Sequence, residues 1–355
     1  MKFMHSIGAA VACLLLASGA SLPLQAQQTW QATLGAQSKD MGTQAIAFLP
    51  NELWIHVGDS INWTSQSGDI HTVSFFLGQP LADFTVGCPG FAMSPATFDG
   101  IHCLTAPPLV QGQTFTVKFN AVGNFALICL VHPHMTGVIH VLAKSATLPH
   151  DQAFYTKEAA DQTKELLKDT DGMNSPSGQG GQGNQGNQGN MGNMGNMGSM
   201  DDMVSATVIS GKAQVAAGWG EMNGNGAGFQ STSVVRFLNG TVKVHAGDTV
   251  EWTIKDPGLP HTITFGQEPP EDQLGPPSSN VSMDADGALR VTLHFVGESA
   301  HSGILGAAPM NQPNVPVAPP AVTKFRVTFL RAGTYDYICA LHDDLGMVGK
   351  VIVLP

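Results

Sequence analysis

The chain has 355 residues, of which 43% are hydrophobic and 12% charged, so it is long enough for two domains that each bury a core. Its 27 acidic residues outnumber the 16 basic residues, and the formal net charge of −11 argues against nucleic acid as a partner. The 41 glycines and 22 prolines favour short strands joined by turns over long helices.

The first 26 residues are predicted to be a signal peptide. Lys2 supplies a positive charge, residues 7–16 form an apolar run, and Ala26 is a small residue suited to cleavage. The run is too short to span a bilayer, and no later segment is suited to cross one. The mature protein is therefore expected to be periplasmic or secreted, without membrane insertion. Cys13 lies inside the apolar run and leaves a lipoprotein as the alternative.

The two halves of the remaining chain repeat one pattern of strands and turns in the same order. Both contain strand-like alternation around a Gly-Asp turn, a strand led by histidine, and a late strand that runs into cysteine. The matched segments are Leu53–Trp63 with Val242–Trp252, His71–Phe75 with His261–Phe265, and Gly123–Cys129 with Gly333–Cys339. Many short strands between turn signals indicate an all-β sandwich or barrel of antiparallel strands. We therefore predict one fold used twice, in residues 27–148 and 204–355.

Three segments differ from this pattern. Residues 149–171 contain good helix formers and are predicted to form a connecting helix. Residues 172–203 are largely Gly, Gln, Asn and Met, which is typical of a flexible linker that sets no fixed geometry between its neighbours. Residues 267–320 contain nine prolines and are expected to be an irregular, proline-rich insertion in the second domain.

Each half also contains one set of residues suited to a single copper ion. A thiolate, two imidazoles and a weak thioether satisfy both Cu⁺ and Cu²⁺, whereas zinc prefers four firm nitrogen or sulfur ligands. The cysteine ends one strand, the second histidine and the methionine lie in the following loop, and the first histidine comes from a neighbouring strand. The predicted ligands are His71, Cys129, His132 and Met135 in the first half, and His261, Cys339, His342 and Met347 in the second.

The predicted export also bears on the oxidation state of the four cysteines that follow the signal peptide. Cys88 and Cys103 lie in one loop rich in Gly and Pro, and they are predicted to form a disulfide in an oxidising compartment. Cys129 and Cys339 then remain as one unpaired thiol per half, which in an exported protein indicates a chemical role.

These ligand sets resemble those of the plastocyanin/azurin family of blue copper proteins. The loop Cys129-x-x-His132-x-x-Met135 is similar to that of amicyanin, and Cys339-x-x-His342-x-x-x-x-Met347 is similar to that of plastocyanin and pseudoazurin. The resemblance implies an eight-stranded Greek-key sandwich of cupredoxin type in each half. It implies single-electron transfer between redox proteins, with a cytochrome or a copper oxidoreductase as the kind of partner. It also implies that the edges of His132 and His342 face that partner through an apolar patch.

The leading interpretation is an exported electron carrier with one type 1 copper per domain and no enzymatic activity. A periplasmic copper-binding or delivery protein is the first alternative. A multicopper oxidase or copper nitrite reductase is the second, and it would need more histidines for another class of copper. The one His-x-His motif, His132-Pro-His134, already uses its first histidine in the predicted site. His134 also replaces the apolar residue usual in this loop and could compete for the metal.

Overall fold

A computed structural model describes residues 27–76, 88, 90–132, 134–168, 212–306 and 322–355. The predicted signal peptide (1–26) and flexible linker (172–203) lie outside the described residues. Over the described ranges the chain consists mainly of strands, which confirms the all-β class. The helices found there do not combine the length and apolar character that crossing a bilayer requires.

The described residues of the first half form ten strands. They are β1 (Thr29–Gln37), β2 (Thr43–Leu49), β3 (Glu52–His56), β4 (Ser60–Ser65), β5 (Ser74–Phe75), β6 (Ala96–Phe98), β7 (Leu104–Thr105), β8 (Thr114–Phe119), β9 (Gly123–Ile128) and β10 (Thr136–Leu142). They form two sheets with the orders β2-β1-β4-β8-β6 and β3-β10-β9-β5-β7. Alternate residues of a strand point to one face, and the large side chains Trp63, Phe75 and Phe119 are completely buried in the core.

A helix, α1 (Gln152–Lys168), follows the first sandwich at the place predicted for it. The second half then contributes β11 (Lys212–Asn225), β12 (Gly228–Leu238), β13 (Thr241–His245), β14 (Thr249–Lys255), β15 (Thr264–Phe265), a 3₁₀ turn (Glu271–Gln273), β16 (Ser282–Met283), β17 (Leu289–Leu293), β18 (Ala300–His301), β19 (Lys324–Phe329), β20 (Gly333–Ile338) and β21 (Val348–Leu354). Its sheets run β12-β11-β14-β19-β17-β16 and β13-β21-β20-β15-β18. The second sandwich thus repeats the first strand for strand, with β16 added.

Each sandwich mixes parallel and antiparallel pairs, whereas the sequence pattern predicts antiparallel strands. β4 runs parallel to β1, β10 to β3 and β6 to β8, and the second half repeats all three pairs. Parallel neighbours need a crossover connection. In this protein the crossover passes through a strand of the opposite sheet, which produces the Greek-key arrangement.

The proline-rich segment 267–320 is only partly irregular. β17 lies beside β19, and β18 lies beside β15, in the positions that β6 and β7 occupy in the first half. Leu289, Val291 and Leu293 are buried at alternate positions of β17. This period of two is the signature of a half-buried strand, and its described part therefore belongs to the repeated fold rather than to an insertion.

The two sandwiches are joined edge to edge by β2 and β12, which pair antiparallel from Thr43↔Val234 to Ile46↔Ser231. One sheet of each half thereby becomes part of a single sheet, which has 11 strands among the residues that the structure describes. Since β2 and β12 are equivalent strands of the repeat, their pairing resembles the self-complementary interface of a two-fold dimer. The expectation that a flexible linker leaves the relative position of the halves undefined is therefore wrong, because this strand pairing defines it.

Helix α1 covers one face of this junction. The small side chains of Ala36, Ala45 and Ala47 form a buried cluster with Leu166 of the helix. Thr232 of β12 donates a hydrogen bond from its hydroxyl to the Leu166 carbonyl at 2.6 Å. The helix thus contacts strands of both halves and adds to the forces that hold them together.

Cutting the linker is expected to leave the two halves associated. A protease site placed between residues 180 and 190 would break the covalent connection and leave the β2–β12 pairing and the α1 contacts intact. The nicked protein should elute from a size-exclusion column at the volume of the uncut protein and separate into two fragments in denaturant. Separation of the fragments at micromolar concentration without denaturant would contradict the fixed junction.

Candidate metal centres

His71, Cys129 and His132 form one buried group in the first half. His71 lies just before β5 and bridges to Leu109, Cys129 follows β9 directly, and His132 lies in the loop to β10. The Nδ1 atoms of His71 and His132 are 3.2 Å apart, and Cys129 Sγ is 3.7 Å from His132 Nδ1. All three side chains are buried, so their ligand atoms face one another away from solvent.

His261, Cys339 and His342 form the equivalent group in the second half. The Nδ1 atoms of His261 and His342 are again 3.2 Å apart. Cys339 Sγ lies 3.4 Å from His342 Nδ1 and 3.9 Å from His261 Nδ1. The repeat of the sequence is therefore also a repeat of the site.

Both groups have the geometry of a three-coordinate metal site. In each, the three ligand atoms lie within 4.8 Å of one another. Ligand atoms bound in a plane at about 2.0–2.3 Å from one ion would be about 3.5–3.8 Å apart, close to the separations of 3.2 to 3.9 Å found here. Two imidazoles and a thiolate in this arrangement are the donor set of a trigonal copper site with a weak axial ligand.

The surroundings of the two cysteines favour the thiolate, the form that binds a metal. Burial alone would raise the pKa of Cys129 and of Cys339, but the histidines of each group hold both pKa values well below the usual range of a thiol. The backbone amides of Thr72 and Thr262 each donate to the cysteine sulfur at 3.3 Å. These donors stabilise negative charge on the sulfur.

Each ligand loop is closed by a hydrogen bond from the cysteine amide to the methionine carbonyl. The bond is 3.0 Å long both from Cys129 to Met135 and from Cys339 to Met347, although the second loop is longer. Both methionine side chains are completely buried. The loop closure returns each predicted axial ligand to the end of the strand that carries the cysteine.

Different residues hold the upstream histidines of the two groups. His71 Nε2 lies 2.6 Å from Ser67 Oγ, whereas His261 Nε2 lies 3.3 Å from Asp256 Oδ2. Such a bond at the second ring nitrogen fixes the orientation and tautomer of a ligand histidine. Neither partner can be identified from the sequence alone, because each lies in a polar loop four or five positions before the histidine, without a periodic signal.

A glycine packs against each upstream histidine at a bulge in the first strand of the repeat. Gly35 and Gly218 lie where the β1–β2 and β11–β12 registers shift, and their φ angles are +62° and +68°. A Cβ at Gly35 would lie 2.6 Å from His71 Nε2, and one at Gly218 would overlap His261 Nε2. Both the backbone conformation and the close contact therefore require glycine.

His132 and His342 are only 1% and 4% exposed. The expectation that their edges face a partner through an apolar patch is wrong, because the junction between the halves covers them. Both rings face the carboxylate of Asp69 instead. Its Oδ2 lies 3.6 Å from His132 Nε2 and 3.7 Å from His342 Nε2.

Asp69 and these two histidines form a buried, charged cluster. Burial alone would raise the pKa of Asp69, but His132 and His342 hold it well below its usual range. Burial would lower the pKa of the two rings, yet Asp69 and the cysteine thiolates raise both values to about 10. Asp69 cannot be recognised from the sequence alone, because a Gly-Asp pair in a polar loop is typical of an ordinary turn.

Three further residues that the sequence singles out have defined positions in the structure. The structure bonds Cys88 to Cys103, with Cα atoms 5.6 Å apart, a separation usual for a disulfide. His134 is not part of the group of ligand atoms in the first half. Its ring lies 6.4 Å from that of Phe229, across the junction in the second half.

Comparison with known sequences finds relatives among small copper proteins. The family described as copper binding proteins, plastocyanin/azurin family, matches residues 226–354. Amicyanin-alpha of Methylorubrum extorquens is 30% identical over 141 residues, which are 40% of this chain and 97% of that protein. Plastocyanin of Solanum tuberosum is 28% identical over 117 residues, which are 33% of this chain and 86% of that protein. The chloroplastic plastocyanin of Tetradesmus obliquus is 32% identical, and the matched region spans 57% of its length.

Solved structures of the same two kinds of protein also match. Oxidised plastocyanin from Dryopteris crassirhizoma has 21% sequence identity and a TM-score of 0.21, and the match covers 40% of this chain and 100% of that chain. A reduced amicyanin variant has 20% identity and a TM-score of 0.22, with 32% of this chain and 82% of that chain covered.

Proposed function

Because the chain belongs to the plastocyanin/azurin family of copper-binding proteins, we propose that it is an exported carrier of single electrons with one copper ion in each half. The observation that carries the proposal is the pair of buried groups of two histidines and one cysteine, with ligand atoms 3.2 to 3.9 Å apart. Copper bound by such a set supplies a one-electron Cu⁺/Cu²⁺ couple. The proposed ligands are His71, Cys129, His132 and Met135, and His261, Cys339, His342 and Met347.

The residues around each group support reversible electron transfer because they hold the ligands in one arrangement. Ser67 and Asp256 fix the upstream histidines, and the amides of Thr72 and Thr262 donate to the sulfur atoms. Burial of the rings keeps water away from the ligand atoms. A ligand set that moves little between two oxidation states lowers the cost of transferring an electron.

The closed character of both groups favours a carrier over an oxidase or a nitrite reductase. A catalytic metal site keeps one coordination position open for water or substrate, whereas the histidine and cysteine ligands here are buried on every side. Over the described part of the chain, two clusters of His, Cys or acidic side chains could hold a metal, and each has the composition of a single electron-transfer site.

We further propose that residues 1–26 are removed on export to the periplasm or beyond the cell. β1 begins at Thr29, just after the proposed cleavage point, and the Cys88–Cys103 disulfide suits an oxidising compartment. The mature chain would then contain domains at 27–148 and 204–355, connected by a helical segment (149–171) and a linker (172–203). Its partners are proposed to be redox proteins rather than nucleic acid, in keeping with its net negative charge.

Copper content and the visible spectrum of the oxidised protein test the proposal. We expect two copper ions per chain and an intense thiolate-to-Cu²⁺ band that ascorbate bleaches. Bound copper without this band would contradict the ligand assignment. Ready release of Cu⁺ from both folded halves to a chelator of moderate affinity would favour copper delivery instead. Oxygen consumption with a phenolic substrate, above the rate given by free copper, would favour an oxidase.

A further inference from the structure

The two proposed copper sites share one carboxylate. Oδ2 of Asp69 lies 3.6 Å from Nε2 of His132 and 3.7 Å from Nε2 of His342. The other oxygen, Oδ1, accepts a hydrogen bond from the Ile70 amide at 2.8 Å. Oδ2 is buried and, within the described residues, lacks a partner at hydrogen-bond distance. A ring that binds a metal through Nδ1 carries its proton on Nε2, so both ligand histidines present an N–H to the same oxygen.

Contacts between the halves hold this arrangement in place. Arg236 of β12 donates to the Leu345 carbonyl in the second ligand loop at 2.6 Å and to the Asp40 carbonyl of the first half at 2.9 Å. The Leu345 side chain lies against Gly68, the residue before Asp69, so closely that a Cβ on the glycine would overlap it. The loop that carries Asp69 and the loop that carries His342 are therefore fixed against each other.

The second half of the repeat has no carboxylate at the position equivalent to Asp69. His71 and His261 are equivalent ligands, and the residue two positions before His261 is Leu259, which is apolar and buried. A buried carboxylate is costly unless it is paired or hydrogen-bonded. An acid in one half, with its oxygen between ligand histidines of both halves, points to a role at both sites.

We propose that Asp69 couples the two copper sites into one unit, in which an electron passes internally between the halves through His132, Asp69 and His342. This inference rests on the proposed function. In the step, one site is oxidised by one electron and the other is reduced by one electron, and no atom or proton is transferred. Because the edges of both histidines are closed to solvent, a partner protein must reach the molecule by another face. Internal exchange then lets one docking position serve both sites.

The charge of Asp69 gives this proposal a measurable signature. A carboxylate beside the ligand rings favours the oxidised, more positive state of each site, and a buried environment strengthens the effect. Asp69→Asn keeps the shape of the side chain and removes its charge, so it should raise the reduction potential of both sites. Asp69→Leu introduces the residue type of the equivalent position, Leu259, and serves as a second variant with the same expected direction.

Reduction potentials are measured on copper-loaded, full-length chains with one site each. Cys129→Ser leaves the second site, and Cys339→Ser leaves the first. Adding Asp69→Asn should raise the potential in both backgrounds, whereas Asp161→Asn, which removes an exposed acid on α1, should change neither. If the potential of the second site stays the same with both Asp69→Asn and Asp69→Leu, the shared role of Asp69 is overturned.

Internal exchange is measured in the two-site protein carrying Met347→Gln. The changed axial ligand gives the second site a different reduction potential from the first, so the two sites can be told apart. One electron per molecule is delivered by radiolysis. We then expect the electron to redistribute between the two copper sites with first-order kinetics and a rate constant that does not depend on protein concentration. Asp69→Asn should slow it by about tenfold or more, equivalent to about 1.4 kcal/mol in the barrier. A rate proportional to protein concentration, or one unchanged by the substitution, would overturn the proposal.

These outcomes separate the inference from the function on which it rests. Single-site proteins that bind copper without a thiolate band would show that the proposed function has failed. The coupling through Asp69 has failed if the thiolate bands are intact and bleach normally, but the reduction potential of the second site does not respond to Asp69 or electrons exchange only between molecules. The two sites then act independently.

Discussion

Cys339→Ser is expected to abolish the thiolate-to-copper absorption of the second site and to leave that of the first site unchanged. The transition requires a thiolate ligand, and a serine hydroxyl stays protonated and binds copper poorly. Absorbance per chain should fall by about half, and Cys129→Ser should cause an equal loss at the first site. The two single variants control for each other, and the double variant should lose the whole band.

Both serine variants should remain folded. Serine differs little from cysteine in size, and the amides of Thr72 and Thr262 that donate to sulfur can donate to a hydroxyl. We expect each substitution to lower the free energy of unfolding by about 1–2 kcal/mol in the copper-free protein. Thermal unfolding followed by circular dichroism measures this change. Full blue absorption in Cys339→Ser would refute the assignment of the ligand.

Gly218→Ala is expected to impair the second site and to destabilise the second sandwich. The new Cβ would overlap His261 Nε2, and the φ angle of +68° is unfavourable for a residue with a side chain. The conformation should cost about 1–2 kcal/mol and the overlap about 1–3 kcal/mol more, because the ring must move in a close-packed core. Copper content should fall from two ions towards one per chain, which elemental analysis measures.

Gly112→Ala is the matched control for this substitution. Gly112 also has a positive φ angle, +83°, but a Cβ there would meet nothing within 4 Å. It should therefore show the conformational cost alone, about 1–2 kcal/mol, with both copper ions retained. Equal copper content and equal stability in the two variants would mean that the glycine beneath His261 does not position the ligand.

The residues of the two candidate metal sites could be picked out from the sequence because the chemistry is concentrated in short loops. Cys129, His132 and Met135 lie within one strand end and one turn, and a second copy of the pattern at Cys339 removes the ambiguity of a single match. Alternation of apolar residues likewise identifies strands such as β8 and β20, whose buried positions follow a period of two. Local spacing is enough to specify such features.

The junction and the shared carboxylate depend on contacts that local patterns do not encode. β2 pairs with β12, which lies nearly two hundred positions further along the chain. The sequence of one strand does not show which strand pairs with it. The sequence does contain an uninterrupted apolar run at residues 45–49, and the structure buries all seven residues of β2, which is typical of a strand covered on both faces. The contact of Asp69 with both histidines exists only in the folded protein, where the junction places His342 beside it.

Carrying both sandwiches in one chain has a consequence for symmetry. A homodimer built by the β2–β12 type of pairing would present every residue near its axis twice, so a position like 69 would supply either two carboxylates or none. Two buried carboxylates so close together would repel, and one would take up a proton. Duplication within a chain frees the two copies to differ, as Asp69 and Leu259 do. A single negative charge can then stand between two otherwise equivalent metal sites, an arrangement that identical subunits cannot produce.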